Sequence, residues 1–136
     1  MDIWKFYDMT HRHHEICNPT SREKLERLVE LLQLPVGARV VDIACGKAEF
    51  LIRLAEEYGV RGTGVDLSPF VISDAKKMLQ ARAPGADIVL TQMDGADFRP
   101  EQPGSFALAS CIGASCIFNG HARTLSALSG MVEDGG

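Results

Sequence analysis

Apolar positions along the chain follow two spacings, one typical of helices and one typical of strands. Leu25, Leu28, Val29 and Leu32 recur every three or four residues, which predicts a helix with one stripe toward a core. The β-branched run RVVDI at 39–43 predicts a strand. Helical and strand patterns then alternate to the end of the chain, and the four predicted strands are 39–43, 62–66, 87–91 and 106–112.

Residues typical of helix ends support this assignment of helices and strands. Thr20, followed three residues later by Glu23, forms a capping box that predicts the start of the first long helix. Gly59 predicts the end of the next helix, and the Ser-Pro pair at 68–69 predicts the start of a third. Asn119 is expected to cap a final helix.

The alternation of strands and helices predicts the fold class. Strands separated by helices form βαβ units with right-handed crossovers, so we expect an α/β fold with a mainly parallel sheet of about four strands. Two regions are predicted: a lid-like N-terminal segment at 1–19 and one domain at 20–136. An ordinary packing segment is the alternative to a lid for residues 1–19.

Composition narrows the class of protein. The 136 residues are 46% apolar and 24% charged, as in a soluble globular protein, and disorder is excluded. The net charge of −4 argues against a nucleic-acid partner. No signal peptide and no apolar run of membrane-spanning length is present, which predicts no membrane association and a cytoplasmic location. The four cysteines have neither zinc spacing nor a disulfide pattern, so no metal site is predicted.

Acidic residues follow three of the predicted strands. Asp42 ends the first strand, Asp66 ends the second, and Asp94 follows the third. Ligands of parallel sheets bind beyond the carboxyl ends of the strands, so these carboxylates are expected to share a site. The small-residue turn at 44–46 lets a ligand approach the backbone. Because Asp42 would repel a pyrophosphate and attract a sulfonium or ammonium, S-adenosylmethionine is favoured over a nicotinamide cofactor.

Four sequence blocks stand in a recognisable order: VVDIACGKAEF at 40–50, GTGVDLSP at 62–69, TQMDGADF at 91–98 and FALASCIGAS at 106–115. With them the chain resembles the class I, Rossmann-like S-adenosylmethionine-dependent methyltransferases over residues 20–136. The resemblance implies a three-layer α/β/α fold and S-adenosylmethionine as cofactor, with S-adenosylhomocysteine as product. It also implies methyl transfer, and the acidic chain favours a small-molecule acceptor.

The resemblance implies cofactor contacts at the ends of all four strands. These are Asp42, Ala44, Cys45 and Gly46 for the methionine portion; Asp66 and Leu67 for the ribose and adenine; Asp94, Gly95 and Ala96 for the adenine amino group; and Cys111, Ile112 and Gly113 near the sulfonium and the methyl.

The chain departs from the family pattern in three places. Ala48 stands where a third glycine is common, and Ala107 stands where an aspartate is frequent. The family continues to three further strands after the position of Gly136, so a domain truncated at the C-terminus is expected. Strand four would then present an exposed apolar edge, and a chain that covers this edge by pairing with a second copy as a homodimer is the alternative to a truncated domain.

Candidates for acid–base chemistry lie near the N-terminus. His11 and His14 are the first candidates and Tyr7 is the next, although methyl transfer from a sulfonium need not use a dedicated base. Lys47 is expected to point to solvent, and Cys45 and Cys111 are expected to be packing residues. Two alternatives to an active methyltransferase stay open: a non-catalytic fragment that binds S-adenosylmethionine, and a nucleotide-dependent oxidoreductase.

Overall fold

The computed structural model describes residues 2–136, apart from the side chains of Trp4 and Tyr7. The helices and strands alternate from α2 onward as the sequence predicts. In chain order they are α1 (Ile3–His11), α2 (Arg22–Leu32), β1 (Arg39–Ile43), α3 (Glu49–Tyr58), β2 (Arg61–Asp66), α4 (Pro69–Arg82), β3 (Ile88–Gln92), β4 (Leu108–Ser110) and α5 (His121–Ser129).

The four strands form one parallel sheet in the order β3-β2-β1-β4. Val40 faces a core formed with α2, α3 and α4. Val41 and Ile43 face a second core that includes Phe106 and Met131. Helices therefore cover both faces, and the predicted Rossmann-like α/β/α sheet of four parallel strands is confirmed.

Glycines in β2 allow α3 to lie close to the sheet. A Cβ atom placed on Gly64 would lie 2.8 Å from Leu51 Cδ1, 2.8 Å from Leu90 Cδ2 and 3.0 Å from Cys45 Sγ. Because Cβ atoms do not approach other atoms so closely, only glycine fits this position without displacing its neighbours. Leu51 of α3 and Cys45 of the loop after β1 therefore pack directly against β2 at Gly64.

Two predicted helix caps are wrong by one residue. Ser21, rather than Thr20, caps α2 and accepts a hydrogen bond from the Lys24 amide at 3.3 Å. The preceding turn is closed by Asn18, whose side-chain oxygen accepts from the Thr20 amide at 2.9 Å. Asn119 does not cap α5: it takes a left-handed conformation (φ 59°) that ends the preceding 3-10 turn.

The predicted fourth strand is also too long. Regular pairing covers Leu108–Ser110, whereas Phe106 forms a parallel bridge with Val132. The Phe106 amide donates to Met131 O at 3.1 Å, and the Glu133 amide donates to Phe106 O at 2.9 Å. The residues after α5 therefore cover the start of this strand, while β4 itself stays at the edge of the sheet.

Among the residues that the structure describes, no helix has both the length and the hydropathy needed to cross a bilayer.

Candidate functional site

A cavity of about 180 Å³ lies beyond the carboxyl ends of β1 and β2. It is also bounded by residues 112–114 after β4 and by residues 15–18 of the N-terminal segment. Seven of the twelve predicted cofactor contacts line it, namely Asp42, Ala44, Cys45, Gly46, Asp66, Ile112 and Gly113. The predicted position of the site, beyond the strand ends, is thus where the fold forms a cavity.

The loop after β1 has an unusual backbone. Ala44, Gly46 and Ala48 all have positive φ angles, of 58°, 56° and 60°. Left-handed conformations are strained for alanine and cost about 1–3 kcal/mol each. Ala48 therefore keeps the conformation that a third glycine would take, and α3 begins directly after it. The tight turn brings the Gly46 backbone to the cavity wall.

Asp66 fixes this loop in place. One of its carboxylate oxygens accepts from the Gly46 amide at 3.0 Å, and the other accepts from the Ser68 amide at 2.9 Å. The side chain thereby joins the loop after β1 to the start of α4. Each carboxylate oxygen has a second lone pair, so Asp66 retains acceptor capacity toward a ligand.

Asp42 is a buried carboxyl group, with 4% of its surface exposed. Its Oδ1 accepts from Ser110 Oγ at 2.7 Å, which links β1 to β4. Burial raises the pKa of Asp42 to about 7, the nearby Asp66 acts in the same direction, and the Ser110 hydrogen bond opposes them. A cationic ligand in the cavity would favour its charged form.

The predicted contacts after β3, which are Asp94, Gly95 and Ala96, do not line this cavity. Asp94 accepts from the Ala96 amide at 2.9 Å and caps the short 3-10 turn Gly95–Asp97. Gly95 is buried against Ile43, since a Cβ atom there would lie 2.5 Å from Ile43 Cγ2.

Leu67 and Cys111 are likewise absent from the cavity lining. The remaining predicted contacts thus lie outside the cavity, and those after β3 follow the strand beside β2.

The far wall of the cavity comes from the N-terminal segment. Glu15, Ile16, Cys17 and Asn18 line it, although sequence patterns named none of them as site residues. Asn18 Nδ2 donates to Ile112 O at 3.4 Å, a contact between residues 94 positions apart. The sequence signal available for this wall was Asn18 followed by Pro19 just before the first long helix.

From the sequence, Lys47 was assigned to the wrong environment and Glu49 was not identified as a buried charged residue. Lys47 does not point to solvent: it is 6% exposed, and its Nζ donates to the carbonyls of His11 and Arg12. Glu49 is 4% exposed. Each of its carboxylate oxygens accepts a hydrogen bond at 2.6 Å, one from Arg53 and the other from Arg82. The i,i+4 spacing of Glu49 and Arg53 was the available sequence signal.

The thiols near the cavity are poor nucleophiles. Burial raises the pKa of Cys45 well above its ordinary value and that of Cys111 to about 11. Burial also raises the pKa of Cys17. Their protonated state agrees with the prediction that Cys45 and Cys111 act as packing residues.

The histidine candidates lie elsewhere. His11 and His14 rings are in edge contact with centroids 5.6 Å apart. They line a separate shallow cavity, which shares residues 16–18 with the first. The structure therefore does not bring either ring into the cavity beyond β1. The side chain of Tyr7 lies outside the described part of the chain.

Comparison with known proteins finds a family model and relatives that match most or all of this chain. Residues 40–136 match the family model described as "Methyltransferase domain". The uncharacterized protein YjhP of Escherichia coli is 28% identical over all 136 residues of this chain, which cover 54% of that protein.

Two crystal structures of relatives have nearly the same fold. The SAM-dependent methyltransferase of Geobacter sulfurreducens has a TM-score of 0.90 and 30% identity, covering 97% of this chain and 52% of its own. The one from Thiobacillus denitrificans has a TM-score of 0.89 and 34% identity, covering 98% and 53%. Both were crystallised with S-adenosyl-L-homocysteine.

The chain spans about half the length of these relatives. Its parallel sheet, the strained loop after β1 and the family match over residues 40–136 agree with one another. The chain belongs to the methyltransferase domain family, among the class I S-adenosylmethionine-dependent methyltransferases.

Proposed function

We propose that this chain binds S-adenosylmethionine in the cavity beyond β1 and β2 and transfers its methyl group to a small-molecule acceptor. The observation that carries the proposal is the pair of carboxylates, Asp42 and Asp66, at the strained small-residue loop. Family membership and the crystallisation of two relatives with S-adenosylhomocysteine support the choice of ligand.

The charges of the cavity suit a cationic ligand. Of its other charged residues, Glu15 forms an ion pair with Arg22. Glu49 is neutralised by two arginines, and Lys47 donates to backbone carbonyls. Asp42 and Asp66 remain as acceptors on the wall formed by the strand ends. Two carboxylates close to an ammonium or a sulfonium lower the free energy of binding, whereas they would oppose a pyrophosphate.

The proposed contacts follow the order of the strands. Asp42 and the loop at 44–46 would hold the methionine portion, and Asp66 would accept from the ribose hydroxyls. Leu67 and the turn at 94–96 would contact the adenine, since β3 lies beside β2. Residues 111–113 would lie beside the sulfur, because β4 is on the other side of β1.

Positioning is the main task of the protein in this reaction. When bound, the cofactor supplies a methyl group already activated by a sulfonium, and in-line displacement by the acceptor then requires alignment and a dry site. Ile16, Phe50 and Ile112 give the cavity apolar walls that exclude water. No dedicated base is needed for this step, which agrees with the separation of His11 and His14 from the cavity.

We also propose that residues 1–19 act as a lid. Residues 15–18 line the cavity opposite the strand ends, and Asn18 donates to Ile112 O. A small acceptor would enter where this segment meets the loop after β4.

The unpaired state of all four thiols supports a reducing, cytoplasmic location.

A second copy of the chain is the proposed partner. β4 lies at the edge of the sheet, where unpaired backbone groups favour addition of another strand. Half-buried apolar residues in β4, Leu108 and Ala109, support pairing at this edge.

Calorimetric titration of the chain with S-adenosylmethionine, with NAD as control, tests the binding. We expect selective binding of S-adenosylmethionine. Binding of NAD instead would favour an oxidoreductase, and binding of neither by a folded sample would contradict the proposal. Incubation with methyl-labelled cofactor and a set of small acceptors then tests transfer, because binding without any labelled product would indicate a binding fragment.

A further inference from the structure

Lys47 is buried in an unusual way. It lies in the loop after β1 and is 6% exposed, and its Nζ donates to His11 O and to Arg12 O at 2.9 Å each. A carboxylate oxygen of Asp74 lies 3.9 Å away. An ammonium removed from water costs free energy unless hydrogen bonds and opposite charge replace its hydration, and here both do.

One acceptor carbonyl belongs to His11, the last residue of α1, and the other belongs to Arg12, which follows it. The last carbonyls of a helix lack intrahelical partners and carry the negative end of the helix dipole. The His14 amide also donates to His11 O, at 3.0 Å. Lys47 therefore supplies, from another part of the chain, the donor and the positive charge that this helix end requires.

The same segment contacts both loops that flank the cavity. A Cβ atom on Gly46 would lie 3.3 Å from Cys17 Cβ, so Cys17 packs directly on the loop after β1. Asn18 reaches the loop after β4 through its hydrogen bond to Ile112 O. A ligand in the cavity would touch the residues next to Lys47 and also residues 15–18.

We propose that Lys47 is a positioning residue that fastens the N-terminal segment, residues 3–18, over the cavity. Its ammonium joins the end of α1 to the loop that forms the cavity wall, so closure of the segment and occupancy of the cavity stabilise each other. Loss of the ammonium releases the segment and weakens ligand binding. The part that concerns the ligand rests on the proposed function, and the part that concerns the attachment does not.

Amine acetylation of the wild-type chain, followed by mass spectrometry, tests the attachment without a variant. Lys77 is the internal control, because its side chain is 75% exposed and it pairs with the same Asp74. We expect Lys47 to react at least about tenfold more slowly than Lys77, since its amine is hydrogen-bonded and buried. Equal reaction rates for the two lysines would overturn the proposal.

The variant Lys47→Met tests the consequence, with Lys77→Met as a control that removes the same charge beside Asp74. Without ligand, hydrogen exchange of residues 3–18 is expected to rise about tenfold in Lys47→Met and to stay unchanged in Lys77→Met. Affinity for S-adenosylhomocysteine is expected to fall about tenfold in Lys47→Met alone. Lys47→Arg, which keeps a cationic donor, should restore a large part of both.

These measurements test the attachment of residues 3–18 by Lys47 separately from the binding of the ligand. Unchanged exchange of residues 3–18 in a folded Lys47→Met variant would overturn the attachment, whatever the ligand does. Failure of the wild-type chain to bind S-adenosylhomocysteine would contradict the proposed function, while the exchange and acetylation data would still decide the role of Lys47. If Lys47→Met does not fold, the acetylation rates of the wild-type chain remain decisive.

Discussion

At the scale of single residues, Asp66 combines a structural and a proposed binding role. Its two oxygens accept from the Gly46 and Ser68 amides, and each keeps a second lone pair that could accept from the proposed ribose. We expect Asp66→Ala to weaken binding of S-adenosylmethionine about 10- to 100-fold, because hydrogen bonds to a charged group are worth about 1.5–3 kcal/mol. Calorimetry measures the loss, and circular dichroism checks that the fold remains.

Asp87→Ala is a matched control for Asp66→Ala, since Asp87 is an exposed aspartate just before β3. It should bind the cofactor as the wild-type chain does. Unchanged affinity in Asp66→Ala would remove the ribose assignment and leave Asp66 with its role in the loop alone.

Asp42 makes stability depend on pH in a defined direction. Its pKa is raised by burial from 3.8 to about 7 in the folded chain, so its stabilising contribution is present at low pH and is lost as the pH rises to about 7. Asp42→Asn removes this titration. At pH 8.5 the variant should be more stable than the wild-type chain by about 1–4 kcal/mol, the upper figure being the full shift at 1.36 kcal/mol per pKa unit.

Denaturant unfolding at several pH values measures this difference for Asp42→Asn. It should stay nearly constant from pH 8.5 to about pH 7 and then shrink toward pH 5, because Asp42 becomes neutral in the folded wild-type chain below its raised pKa. Asp87→Asn, at an exposed position, should show no such trend. A constant difference across this range would contradict a buried titrating Asp42.

At the scale of elements, the contact between β2 and α3 depends on glycine. At Gly64 a Cβ atom would meet Leu51, Leu90 and Cys45 at 3.0 Å or less. We expect Gly64→Ala to lower the free energy of unfolding by about 1–3 kcal/mol, the usual cost of overpacking a core. Denaturant unfolding measures the change.

Gly85 supplies the control for Gly64→Ala, because a Cβ atom there would meet nothing within 4 Å and its φ angle is not positive. Gly85→Ala should leave stability unchanged or raise it slightly, since alanine restricts the unfolded chain. Equal effects of the two substitutions would show that α3 can move away from β2 at little cost.

Element positions were predictable where local signals were strong. β1 at 39–43 agrees with the prediction residue for residue, because its β-branched run is short and bounded. The cap of α2 was misplaced because Asn18 closes a turn at Thr20, which moves the cap to Ser21. Phe106 was assigned to a strand from its apolar surroundings, yet its pairing partner is Val132, far along the chain.

At the scale of the whole molecule, the position of the site could be predicted and its enclosure could not. Asp42 and Asp66 lie at the carboxyl ends of the adjacent parallel strands β1 and β2, so their proximity follows from the topology. The wall formed by residues 15–18 depends on contacts such as that of Asn18 with Ile112, and because these residues lie 94 positions apart no local pattern indicates that they meet. Lys47 was misassigned for the same reason, because its partners lie 35 and 36 positions away.

The open edge of β4 determines the expected assembly. The Ala107 amide donates to Arg39 O, so by alternation the amides of Leu108 and Ser110 point away from β1. Residues 131–133 pair with the strand at Phe106, and a Cβ atom on Gly136 would lie 3.2 Å from Ala107 O, so the segment after α5 extends to Ala107. We therefore expect light scattering to give twice the 14.8 kDa mass of one chain at high concentration, with dissociation on dilution.

Amide exchange locates the contact between copies. Protection of Leu108 and Ser110 should rise with chain concentration, because a second strand would accept their outward amides. The outer edge of β3 is the internal control: there the Met93 amide donates to Asp66 O, so by alternation the amides of Leu90 and Gln92 point outward. If protection in the dimer rises at the outer edge of β3 instead, the contact lies at β3 and the prediction for β4 is wrong. A monomer at every concentration would mean that the β4 edge is stable in water without a second copy.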